Sequence, residues 1–125
     1  MERFVHRVAV VTGAGSGIGR ATSLRLAREG ARVMMVDTVD AGLVETENMM
    51  PEGAECLRRL VDVSDEAQVQ ALVTETVEVF GRIDVLCNIA GIASTGEGHP
   101  SITANDRGEW DKVLAVNLVG TMLLI

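Results

Sequence analysis

The chain reads as an α/β protein built on a doubly wound parallel sheet, and three observations carry that reading. Four short apolar runs, at residues 7–11, 32–36, 56–61 and 83–89, alternate with segments of helical spacing. The runs are rich in Val, Ile and Leu without clean alternation, as strands covered on both faces should be. A glycine turn, Thr12-Gly13-Ala14-Gly15-Ser16-Gly17-Ile18-Gly19, follows the first run directly. Strands and helices alternating through short connections imply parallel strands with right-handed crossovers. Such a sheet receives ligands beyond the carboxyl ends of its strands, where the strand order reverses.

Each element has its own signal. The first helix, 17–28, carries Ile18, Ala21, Leu24 and Ala27 at helical spacing, with Gly30 as a natural stop. A second is expected over 40–50, ended by Pro51, Glu52 and Gly53. The third is the clearest. Ser64 is the expected cap, Asp65 and Glu66 sit in the first turn, and Val69, Leu72, Val73, Thr76 and Phe80 form one stripe before Gly81. A final helix, started by Asp106 and Glu109, is expected over 109–124. Its Val113, Leu114, Val116, Leu118, Val119, Met122, Leu123 and Leu124 are apolar nearly all round, so burial is expected. A chain that ends inside this apolar stretch reads as interrupted, so residues 1–125 are expected to be one domain, incomplete at its C-terminus, whose sheet is truncated after the fourth strand and following helix.

Composition narrows the function classes. Apolar residues make up 47% of the chain and charged ones 23%, the balance of a globular domain. At 125 residues it can bury roughly two thirds of its unfolded surface. A net charge of −7, with two Phe, one Trp and no Tyr, argues against nucleic acid as a partner. No apolar run approaches a membrane span, and no signal-peptide core follows Met1. Cys56 and Cys87 fall in expected strands and in no metal spacing. They are expected to be buried, reduced thiols of a cytoplasmic protein.

The chemistry gathers at strand ends. Gly13, Gly17 and Gly19 open the first helix, whose N-terminus offers unpaired N–H groups and partial positive charge to a pyrophosphate. Taken alone, the turn fits either a phosphate cradle or a tight strand–helix connection. Asp37 favours the cradle: it ends the second strand eighteen residues after Gly19, where an acid accepts hydrogen bonds from an adenosine ribose. No Arg lies within the glycine turn or directly after Asp37, so a 2′-phosphate would meet a carboxylate. NAD is therefore expected over NADP.

The glycine turn, Asp37, Asp62-Val63, Asn88-Ile89-Ala90-Gly91 and Val116-Asn117-Leu118-Val119-Gly120 resemble, in order, the signatures of the short-chain dehydrogenase/reductase family. The resemblance covers essentially the whole chain and implies a Rossmann-type fold with hydride transfer between a nicotinamide and a secondary alcohol or ketone. It implies that Gly13, Ser16, Gly17, Ile18 and Gly19 hold the pyrophosphate, Asp37 the ribose, and Asp62 with Val63 the adenine. Asn88, Ala90 and Gly91 would line the cleft. Ile89 departs from the second Asn of many members, which weakens the expected bonding between strands. Asn117 matches the Asn of the family's Asn-Ser-Tyr-Lys tetrad, whose backbone helps hold a proton-relay water.

The rest of that tetrad has no counterpart here. The chain contains no tyrosine, and its one lysine, Lys112, precedes Asn117. His99, in the loop 91–108, reads as a solvated side chain rather than a replacement base. The expectation is the cofactor-binding half of an NAD-dependent dehydrogenase, binding NAD without catalysis. A non-catalytic NAD-binding or subunit-interaction module, or a partial reading frame, are the alternatives. The resemblance also implies a small alcohol or ketone as the complete enzyme's substrate, and a homo-oligomer through the final helix.

Overall fold

The computed structural model describes residues 1–93 and 106–125. Strands β1 (Val8–Thr12), β2 (Arg32–Asp37), β3 (Cys56–Leu60) and β4 (Val85–Cys87) form one parallel sheet in the order β3-β2-β1-β4. Helices α1 (Gly17–Arg28), α2 (Asp40–Asn48) and α3 (Glu66–Phe80) follow the first three strands in turn. Beyond β4 a last helical segment comprises α4 (Arg107–Leu114), a π-helical turn over Ala115–Val119, and α5 (Gly120–Leu124). This is the doubly wound, Rossmann-type sheet that the alternation predicts.

Side chains alternate across the strands, and each parity feeds its own core. Ala9, Val11, Val33 and Met35 pack with Leu26 and Ala27 of α1 and Leu43 of α2. Val8, Val10, Met34 and Val36 pack on the other face with Leu72 and Phe80 of α3, and Leu124 of α5 joins them. Most of these positions in β1 and β2 are wholly buried, which is why the strands read as continuous apolar runs. The sheet extends from β1 through β2 to β3 and then resumes on the far side of β1 with β4. The reversal therefore lies between β1 and β4.

Five expectations need correction. β4 is three residues, not the seven of 83–89, because side chains take over the pairing at both its ends. The Asp84 carboxylate accepts the Val8 N–H (2.9 Å) at one end, and the Thr12 hydroxyl accepts the Ile89 and Ala90 N–H groups (both 3.0 Å) at the other. The cap of α3 is Asp65, whose Oδ1 accepts from the Gln68 N–H at 3.1 Å. The Ser64 hydroxyl is committed instead to Asp62 Oδ1, at 2.6 Å. The last helical segment begins at Arg107, earlier than expected, because Asp106 caps it through the Glu109 N–H (2.9 Å). It is also not buried: Leu118 stands 63% and Met122 58% exposed, and Gly120 is its one buried residue among those described. Both cysteines are free, as expected, but half-buried rather than buried.

Candidate functional site

A cavity of about 370 Å³ opens at the carboxyl ends of the strands, beside the point where strand order reverses. Its walls bring together Gly13, Ser16, Gly17, Ile18 and Gly19 from the turn after β1, and Asp37 from the end of β2. Asp62 and Val63 come from beyond β3, and Ala90 and Gly91 from beyond β4. These segments are distant in sequence and meet because four parallel strands end at one edge. Asn88 and Asn117 do not line the cavity. His99 lies outside the described residues.

The glycines earn their places differently. Gly13 and Gly17 adopt φ of +66° and +49°, in the left-handed region that side chains disfavour. A Cβ on Gly19 would run into the Gly13 carbonyl oxygen, so its absence lets α1 start hard against the strand. A Cβ on Gly17 would meet nothing within 4 Å, because it would stand in open space. The start of α1 also lacks an internal acceptor. Ser16 makes no side-chain capping bond and the first turn holds no acidic residue. First-turn N–H groups without a cap, at the positive end of a helix, suit an anion.

Asp37 is fixed by the turn it faces. Its Oδ2 accepts the Gly15 N–H (2.9 Å) and its Oδ1 the Thr38 N–H (2.7 Å). Oδ1 also accepts the Val39 N–H at 3.4 Å, so of the carboxylate's roughly four acceptor positions the one left open for a ligand hydroxyl is on Oδ2. Asp62 is tethered similarly: Oδ1 accepts from the Ser64 N–H (2.9 Å) and hydroxyl, and the Asp62 N–H donates to Gln68 Oε1 at 2.8 Å.

Asn117 acts on a wall from behind. Its amide donates to the Ile92 carbonyl (2.9 Å) and accepts the Ile92 N–H (2.8 Å), a two-way grip on a residue that lines the cavity. It sits in the π-helical turn, a distortion often found at functional sites. Its own carbonyl accepts the Thr121 hydroxyl at 3.3 Å.

Sequence reasoning assigned no site role to Thr12, Val36, Thr38, Val61, Ile89, Ile92 and Val116, noting Ile89 alone, as a departure from the family pattern. The last six line the cavity, five from strand ends and flanking turns and Val116 from the π-helical turn. Thr12 is 1% exposed, and its hydroxyl fastens the end of β4 to β1. A polar residue closing an otherwise apolar strand was the available signal. The same bonds explain why Ile89 is tolerated, since its N–H is held whatever its side chain. Neither thiol belongs to the cavity, and desolvation pushes both Cys56 and Cys87 up, with Glu47 adding to the effect at Cys56. A raised thiol pKa lowers the thiolate fraction, the form that reacts.

Comparison with known proteins gives one answer. Levodione reductase of Leifsonia aquatica is 48% identical over 124 residues, a span that covers 97% of this chain and 45% of the reductase. The crystal structure of levodione reductase superposes with a TM-score of 0.88 at 46% identity, covering 98% of this chain and 47% of that one. A short-chain dehydrogenase/reductase from Burkholderia phymatum, solved in complex with NAD, gives 0.89 at 35% identity over 99% of this chain and 43% of its own. A metagenomic short-chain oxidoreductase, solved in complex with NADP, gives 0.88 at 34% over 97% of this chain and 54% of its own. The chain spans about half the length of the relatives it matches. A short chain dehydrogenase family model matches residues 7–125. The chain belongs to the short-chain dehydrogenase family.

Proposed function

We propose that residues 1–125 are the cofactor-binding half of a dehydrogenase that interconverts a secondary alcohol and a ketone, and that they bind NAD in preference to NADP. One observation carries the reading: an uncapped helix start and a carboxylate fixed by the glycine turn share one cavity. The residues fit a dinucleotide, because the missing Gly17 side chain leaves open the space in front of that helix start. Gly13, Ser16, Gly17, Ile18 and Gly19 hold the diphosphate in this reading, Asp37 the adenosine ribose, and Asp62 with Val63 the adenine. Ala90 and Gly91 face the cofactor beyond β4, and Asn88, outside the cavity wall, leads the chain into them. When bound, that group supplies the hydride donor or acceptor.

The proton is left to the protein. In these 125 residues there is no tyrosine, and Asn117 is the one tetrad position represented, as a positioning residue that grips Ile92. The chain alone therefore binds cofactor without turnover. Two free thiols favour a reducing compartment, the cytoplasm. Among the described residues no helix is long and apolar enough to cross a membrane.

Calorimetric titration tests the reading. NADH is expected to bind more tightly than NADPH, and Asp37→Ala to narrow the gap by weakening NADH. Saturable binding of neither, or a preference for NADPH, overturns it.

A second reading, association between subunits, is favoured by the apolar face that the last helical segment leaves uncovered at Leu114, Leu118 and Met122. In this reading the chain forms a homo-oligomer through that face.

A further inference from the structure

A run of hydrogen bonds joins a guanidinium to Asp37 with a single peptide group in its middle. Arg20 donates from Nε to Thr46 Oγ1 at 3.0 Å. The Thr46 hydroxyl donates to the Ala14 carbonyl at 2.8 Å, the nearer of two acceptors, with the Gly42 carbonyl at 3.1 Å. The N–H on the other side of that same peptide, belonging to Gly15, donates to Asp37 Oδ2 at 2.9 Å. Every bond points from cation to carboxylate, so each polarises the next.

The surroundings make this run rigid. Thr46 is fully buried, and the Arg20 side chain is 25% exposed. A second Arg20 nitrogen donates to the Gly15 carbonyl (2.6 Å) and to Glu45 (2.8 Å), so Gly15 is held through its N–H and its oxygen alike. Neither Arg20 nor Thr46 reaches the cavity.

We propose that Arg20 and Thr46 are positioning residues that fix the Asp37 carboxylate through the Ala14–Gly15 peptide, and so set the discrimination between NAD and NADP. The inference rests on the proposed NAD binding. Discrimination depends on the place of the carboxylate: held, it accepts ribose hydroxyls and repels a 2′-phosphate; released, it does neither. The cation next to the turn, which would otherwise attract that phosphate, is committed to carbonyl, hydroxyl and Glu45.

Thr46→Val keeps the shape of the side chain and cuts the run, whereas Thr46→Ser keeps the hydroxyl. Two readouts are taken: exchange of the Gly15 amide in the ligand-free chain by NMR, and NADH and NADPH affinities by calorimetry. In Thr46→Val, Gly15 exchange is expected to rise about tenfold and the ratio of NADPH to NADH dissociation constants to fall about tenfold, with Thr46→Ser close to wild type. Arg20→Met is expected to act in the same direction, and replaces Thr46→Val if that variant does not fold. Wild-type Gly15 exchange in the variant, or equal weakening of both dinucleotides, overturns the inference. A wild-type chain that binds neither dinucleotide removes the NAD reading and its specificity corollary together, while Gly15 exchange still decides whether the run holds the turn.

Discussion

Thr12 shows how much of this site depends on single buried hydroxyls. Its oxygen accepts two main-chain N–H groups, from Ile89 and Ala90, and its hydrogen points to the Cys87 carbonyl. Replacement by Val preserves volume but strands two donors at a buried position. We expect Thr12→Val to lose about 1–3 kcal/mol of stability in denaturant unfolding, with Thr12→Ser recovering most of it. Asp84 plays the matching part at the other end of β4 by accepting the Val8 N–H. The sequence marks Thr12 only as a polar residue closing an apolar strand; what it and Asp84 hold was not legible, because the partners are main-chain groups some seventy residues away or more. Asp37 was legible, because its place at the end of a strand after a glycine turn is a local pattern.

At the scale of elements, the start of α3 offers a clean test of which side chain caps it. Asp65→Ala removes the bond to Gln68 and is expected to cost about 1 kcal/mol in thermal unfolding, whereas Ser64→Ala, which leaves that bond intact, costs clearly less. Equal losses would contradict the assignment. The sequence pointed to Ser64, with Asp65 in the first turn, but Asp62 takes the Ser64 hydroxyl and the cap falls to Asp65. α1 matched its predicted bounds of 17–28, since left-handed glycines mark both of its flanks, at Gly17 and Gly30. The last helical segment was misjudged for a different reason. Its apolar periphery implied burial, but a helix is buried only by what packs on it, and here Gly120 meets Val63 and Leu124 joins the core beside α3 while Leu118 and Met122 stay exposed. If its exposed face meets a second copy, Leu118→Glu combined with Met122→Glu is expected to shift sedimentation to the monomer without changing the circular dichroism spectrum.

Across the whole molecule, carboxylates held by arginines and main-chain N–H groups contribute to the acid limit, Glu29 and Asp84 most strongly. Glu29 accepts hydrogen bonds from Arg3 and Arg25, and Asp84 accepts the Val8 N–H and pairs with Arg82 and Arg7. These partners hold each carboxyl down to about 2, from ordinary values of 4.5 and 3.8. Because the folded chain binds fewer protons in that interval, their stabilisation is complete above about pH 5 and is lost as pH falls toward about 2. Melting temperature should therefore decline over that window, and Glu29→Gln should flatten the decline. Both groups sit on the opposite side of the sheet from the cavity, at the amino ends of β1, β2 and β4, so this acid limit is independent of ligand binding. The most direct test of the account remains the glycine turn. Gly17→Ala adds a methyl group in open space, at a strain cost of about 1 kcal/mol, so the fold is expected to survive. NADH should titrate saturably into the wild-type chain and bind at least tenfold more weakly to a folded Gly17→Ala chain, in line with the loss of phosphate contacts. Equal affinity of the two chains for NADH would contradict the account.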